Sequence, residues 1–235
     1  MTQHASLNNT EHRDLRVITS HGAAYGDDVM FVATFPSEFR NVQADYPIVF
    51  ARSREGSYMP LALFGLREKQ NLFLRDDTWD APYLPLAVVR QPFLIGTSST
   101  GKVIHIDLDH ARVSRTEGER VFDERGGNTP FLERAGSMLA AIDDGIASVP
   151  PFIAAIQEYN LLEPFALDIE FRDGTKHQFA GFHTIQEERL RDLGAEALGK
   201  LHSKGYLQAV YMVIASLSNF RSLIERASRL DAAQR

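Results

Sequence analysis

The sequence predicts an α+β fold, with a mostly antiparallel sheet in the N-terminal half and helices plus one β-hairpin in the C-terminal half. Three observations carry this. Short apolar runs separated by turn residues dominate the chain up to about Asp109, at strand rather than helix length. From Thr129 onward apolar residues repeat at helical spacing instead. Between those helices, two apolar segments flank Asp173-Gly174, a hairpin signal because Asp-Gly tolerates positive φ at both turn positions. Strands followed by helices, without regular βαβ alternation, exclude a doubly wound sheet.

Taken in order, residues 1–14 are polar and read as a disordered tail. Leu15–Ile18 and Val29–Phe35 are short strands, and Pro36 opens a brief helix over 37–44. Tyr46–Ala51 reads as a buried strand; Tyr58–Leu66 pairs back on it if Pro60 sits at an edge or strand start. Leu72–Leu74 is another short strand, and Pro82, Pro85 and Pro92 prevent a long helix between Trp79 and Phe93. Leu86–Arg90 suits one helical turn. In Lys102–Asp109, Ile104, Ile106 and Leu108 share one face, while Val103, His105, Asp107 and Asp109 share the other.

Glu117–Asn128 is polar and Gly-rich and reads as a loop. Thr129 as N-cap and Pro130 at the first helical position then start a helix, and a second begins near Pro150. After the hairpin, Thr184 and Glu187 have capping-box spacing, with a break at Gly194 and a stop at Gly205. Tyr206 to about Arg229 is the last helix; its apolar stripe serves either the core or a face for a second copy. One domain over 15–235 and a sub-boundary at 118–129 both fit this order.

Composition narrows the function. The 235 residues carry a formal net charge of -6 and no Lys/Arg run, which argues against a nucleic-acid or anionic-membrane partner. No cysteine is present, so disulfides, thiolate nucleophiles and Cys-ligated metals are excluded. The N-terminus lacks an apolar signal core, and the longest apolar stretch, Leu207–Leu217, is short of a membrane span. A soluble, cytoplasmic protein is expected.

Motifs for chemistry are sparse. His105 and Asp107, with His183 and Arg189 downstream, have the outline of a two-His-one-carboxylate iron site. The preferred reading is the solvated face of an amphipathic strand, opposite Ile104 and Ile106, and no metal or cofactor is expected. There is no nucleophile elbow, and Gly96–Lys102 lacks the residue order of a phosphate loop. The best-defined polar–aromatic group is Arg67, Trp79, Asp80, Tyr83 and Arg90. Trp and Tyr provide rigid contact area and Arg clamps carboxylates, so these five are the expected ligand- or partner-binding residues. The alternative is structural: Trp79 plugs a core beside the Tyr46–Phe50 and Leu61–Leu66 strands, and Arg67 or Arg90 pairs with Asp80.

Tyr46-Pro47-Ile48-Val49-Phe50, Leu63-Phe64-Gly65-Leu66-Arg67, Asn71-Leu72-Phe73, Trp79-Asp80-Ala81, Tyr83-Leu84-Pro85 and Arg90-Gln91-Pro92-Phe93 occur in that order. With Asp173-Gly174, Gly181-Phe182, Gly205-Tyr206-Leu207 and Ser216-Leu217-Ser218-Asn219, the chain from Phe39 onward resembles the SapC-like family. The resemblance implies a bacterial protein and, through the family's surface-layer name, a surface-layer association as one alternative. It implies no catalytic residue. The expected function is a non-enzymatic binding or accessory protein for a peptide or protein partner; the other alternative is an enzyme, or enzyme accessory, in peptide or amino-acid modification.

Overall fold

The structure is a computed structural model that describes residues 3–75, 78–99, 101–170, 174 and 176–233. It is α+β. In chain order the first half holds β1 (His4–Ser6), β2 (Arg16–Val17), β3 (Phe31–Ala33), α1 (Phe39–Asp45), β4 (Ile48–Arg52), β5 (Tyr58–Leu63), β6 (Leu74–Arg75), β7 (Thr78–Trp79), α2 (Leu86–Val89), β8 (Phe93–Ser98), β9 (Gly101–Asp107), β10 (Val113–Ser114) and β11 (Glu119–Arg120). The second half holds α3 (Pro130–Glu158), β12 (Leu162–Glu170), β13 (Lys176–Ile185), α4 (Glu187–Arg191), α5 (Ala195–Ser203), α6 (Tyr206–Ser216) and α7 (Asn219–Ala233). These elements form two compact units, one of residues 1–28, 74–80 and 86–144, the other of 29–73, 81–85 and 145–235. No crossing between them falls within 118–129.

In the first unit, β9 lies between β1 and β8, all antiparallel. Its alternation works as the sequence predicts: Ile106 is fully buried, with Ile104 and Leu108 packed around it. The core is closed by Leu15, Val17, Phe93, Val121, Phe122, Leu132, Ala135 and Leu139. Two expectations change here. His4–Ser6 is a paired strand rather than part of a disordered tail, because β9 leaves an edge for it and Leu7 packs on the core. The supposed loop at 117–128 supplies β11, which pairs with β2, and two core residues, Val121 and Phe122.

The second unit is built on the sheet β12-β13-β4-β5-β3. Its core is aromatic. Phe152 meets Phe39 and Phe50 with ring centroids 5.9 and 6.5 Å apart, and Tyr46 meets Phe64 and Phe73 at 5.1 and 4.7 Å. Pro60 is tolerated in β5 because it lies just past the β3 ladder, which covers residues 61–63; its carbonyl still accepts from the Thr34 amide at 3.0 Å, and the missing N–H falls at the ladder's end. Gly174, at φ 80°, follows Asp173, which lies outside the described residues, and β12 and β13 pair as expected.

The helices depart from expectation at three places. One 29-residue α3 replaces two helices and carries Pro150 and Pro151 inside it. Interior prolines remove backbone hydrogen bonds, but Leu139 and Ile142 before them and Phe152, Ile153 and Ile156 after them are buried, which holds the helix together. Thr184 does not cap α4, since β13 pairs it with Glu163 and Gln186 takes the N-cap position. The last helix breaks at 217–218, where Ser216 and Ser218 hydroxyls donate to the carbonyls of Val213 and Ala215. Such back-bonding bends helices.

By length and composition, Pro130–Glu158 and Tyr206–Leu230 are apolar enough to cross a membrane, with mean hydropathy 1.5 and 1.2 over their best windows. The sequence reading found no such stretch, because Glu133, Arg134, Asp143, Asp144 and the two prolines interrupt the apolar run of α3.

Candidate functional site

The five residues expected to bind a partner divide between the units: Trp79, Asp80 and Arg90 in the first, Arg67 and Tyr83 in the second. Arg67 is exposed. Tyr83 is held in its own unit, its hydroxyl donating to Glu38 Oε1 at 2.9 Å, while Thr34 Oγ1 donates to Glu38 Oε2 at 2.7 Å. Burial, then the Glu38 charge, pushes the Tyr83 phenol far above its ordinary range. Arg90 is largely withdrawn from solvent, which lowers its pKa, and its guanidinium donates to the Phe93 carbonyl at 3.0 Å rather than to Asp80. Within the first unit Asp80 pairs with Arg75, Oδ2 to Nε 3.1 Å.

Trp79 is only partly buried. The β6–β7 hairpin places it opposite Leu74, and its ring meets His21 edge-on with centroids 5.7 Å apart. Behind His21 lies a buried ion pair that the sequence reading missed. A single 3-10 turn, Ala23–Tyr25, sits between Gly22 and Gly26; Gly26 at φ 80° turns the chain so that Asp27 faces back on Gly22. Asp27 Oδ2 accepts from Arg112 Nη2 at 2.6 Å, from the Gly22 amide at 2.9 Å, and lies 3.2 Å from His21 Nδ1. Burial raises the Asp27 pKa, but these hydrogen bonds outweigh it and hold the carboxylate below its ordinary range. Arg112 also donates to the carbonyls of Ile18 and Ser20 and lies over the Tyr25 ring. No spacing rule joins Asp27 to an arginine 85 residues away, so the sequence carried no signal for this cluster.

The same unit has an open cleft of about 230 Å³ between the β8–β9 ribbon and α3. Its floor is Ile95, Ile104, Gly136, Leu139 and Ala140; Lys102, Asp143 and Asp144 stand at its rim. Lys102 pairs with Asp143, leaving Asp144 exposed without an ion pair among the described residues. β8 has β9 on one side only and forms the edge of its sheet; Ile95 on it is 37% exposed. Gly136 is the telling residue. A helix-interior glycine is costly, yet a Cβ there would meet only Ile104 Cδ1 at 3.5 Å, an ordinary contact. Packing does not demand this glycine, and its missing side chain is what deepens the cleft.

Among the described residues, no group of three or more His, Asp or Glu side chains is arranged to hold a metal. His105 and Asp107 sit on β9, and the His105 ring fills the space a Cβ on Gly96 would occupy.

No curated protein and no solved structure matches the chain. The SapC family model, in contrast, matches residues 7–223, nearly the full length, and the chain belongs to the SapC family.

Proposed function

We propose that this SapC-family chain is a non-enzymatic binding or accessory protein that takes an extended segment of a peptide or protein partner. The observation that carries the reading is the cleft beside edge strand β8. An edge strand offers unpaired backbone donors and acceptors to an added strand, and an adjacent pocket selects side chains. The apolar floor suits an aliphatic or aromatic residue, and the unpaired Asp144 at the rim favours a Lys or Arg close to it. Trp79 and Asp80, two of the three expected binding residues on the same unit, belong to this proposal as a partly exposed aromatic–charged patch beside His21.

The same proposal places the protein in solution in the cytoplasm. A chain without cysteine suits a reducing compartment. Helix α3 buries Leu132, Ala135 and Leu139 in the first unit's core and has Phe152 and Ile156 fully buried, so its apolar surface is used by protein rather than lipid.

A displayed library of random peptides, selected on the purified chain and counter-selected on Gly136→Leu, tests the reading. Enriched sequences should share an apolar residue with a basic residue nearby. Equal recovery on both proteins contradicts it.

A further inference from the structure

In the second unit, Arg52, Tyr58 and His183 are hydrogen-bond donors with no partner among the described residues. In the β4–β5 ladder Arg52 stands opposite Tyr58, and across the other side of β4 His183 stands opposite Phe50. Strand side chains alternate, so Phe50, Arg52, Tyr58 and His183 share one face of the sheet. Tyr58 is the hub. The His183 ring meets it edge-on at 4.9 Å and 81°, and Arg52 Cζ lies 5.6 Å from its centroid. Phe50, fully buried, forms the floor.

None of these three side chains makes a hydrogen bond or ion pair with another described residue, and His183 Nδ1 is buried without a partner. Burial, then the charge of Arg52, lowers the His183 pKa. A cation beside a histidine, with no ion pair to a described carboxylate, is an arrangement that an anion would complete.

We propose that Arg52, Tyr58 and His183 form a binding site for a phosphoryl group, as a free ion or a phosphate monoester. A planar carboxylate is satisfied by the guanidinium fork alone. A tetrahedral phosphate has oxygens left for the phenol and imidazole donors, which is why three donor types on one face favour it. The site lies in the second unit and shares no residue with the cleft of the first.

The test is titration of the full chain with inorganic phosphate, glycerol 3-phosphate, acetate, or phosphatidylcholine vesicles carrying phosphatidic acid. The readout is the imidazole NMR signal of His183, assigned with His183→Gln. Phosphate and glycerol 3-phosphate should shift that signal saturably and raise its titration midpoint. Arg52→Gln should weaken both by about tenfold or more, the scale of one lost charge-assisted contact. Tyr58→Phe, which keeps the ring packing, should weaken them less. Binding of the vesicles as well would extend the site to lipid headgroups; response to the soluble ligands alone would assign it to soluble esters. A linear, unsaturable shift that is the same in the wild type and Arg52→Gln overturns the site. Acetate binding as tight as phosphate overturns the phosphoryl assignment.

Discussion

Arg112 Nη2 donates to Asp27 Oδ2 at 2.6 Å, and both side chains are almost fully buried, 3% and 1% exposed. Removing one member of such a pair strands the other charge in a low-dielectric site, which typically costs about 3–5 kcal/mol. Arg112→Met should therefore lower the unfolding free energy by about that much in urea melts. The double variant Asp27→Leu, Arg112→Met should lose less than the single. Equal losses would mean that the backbone contacts of Arg112, not the ion pair, dominate.

Acid should weaken the fold in two stages. His110 is fixed in its neutral form: its Nδ1 accepts from the Arg112 amide at 3.1 Å, and its Nε2 lies 3.1 Å from Gln91 Oε1. Burial first, and the Arg112 charge second, lower its pKa; His183 shifts the same way in the other unit. A histidine depressed in the folded state binds fewer protons than in the unfolded chain, so stability rises with pH. That contribution is fully present above the unfolded value of about 6.5 and is lost as pH falls through the folded values. Asp27, also depressed, adds stability present above about 3.9 and lost as pH falls further. The melting temperature should drop first as pH falls below about 6.5, again below about 4, and His110→Gln should flatten the first step.

Trp79 is the single tryptophan, so fluorescence reports its site alone. Partial burial against His21 predicts emission between the buried and free-indole limits, partly quenched by iodide. Trp79→Ala should cost less than the ~3–5 kcal/mol of a fully buried large aromatic. A fully shielded emission with a loss in that range would favour the core-plug reading.

Two glycines of α3 should respond to alanine with opposite signs. At Gly136 the Cβ finds ordinary contact, so Gly136→Ala should stabilise the fold by about 0.5–1 kcal/mol. At Gly145 a Cβ would lie 2.3 Å from the Phe35 ring, so Gly145→Ala should destabilise despite its better helix propensity. Thermal melts of the two variants decide this.

The legible part of the fold was local. Alternation in Lys102–Asp109 gave β9, Thr129-Pro130 gave the start of α3, with Thr129 Oγ1 accepting from the Leu132 amide at 3.3 Å, and Asp173-Gly174 gave the β12–β13 pairing. What stayed hidden depends on distant partners. Val121 and Phe122 look like loop residues until β11 meets β2, and His4–Ser6 looks unstructured until β9 offers an edge. Pro150-Pro151 reads as a helix boundary because propensity is local, whereas the burial that overrides it is not. The contacts of Tyr83 with Glu38 and of Arg90 with the Phe93 carbonyl are of the same kind, since no spacing announces them.

The central claim is that a partner segment adds to β8 over the Gly136 cleft. Backbone amide hydrogen exchange of the chain with a selected peptide tests it most directly. The account predicts new protection at alternating amides of Phe93–Ser98, absent in Gly136→Leu under the same conditions. Peptide binding that leaves exchange at Phe93–Ser98 unchanged would contradict it.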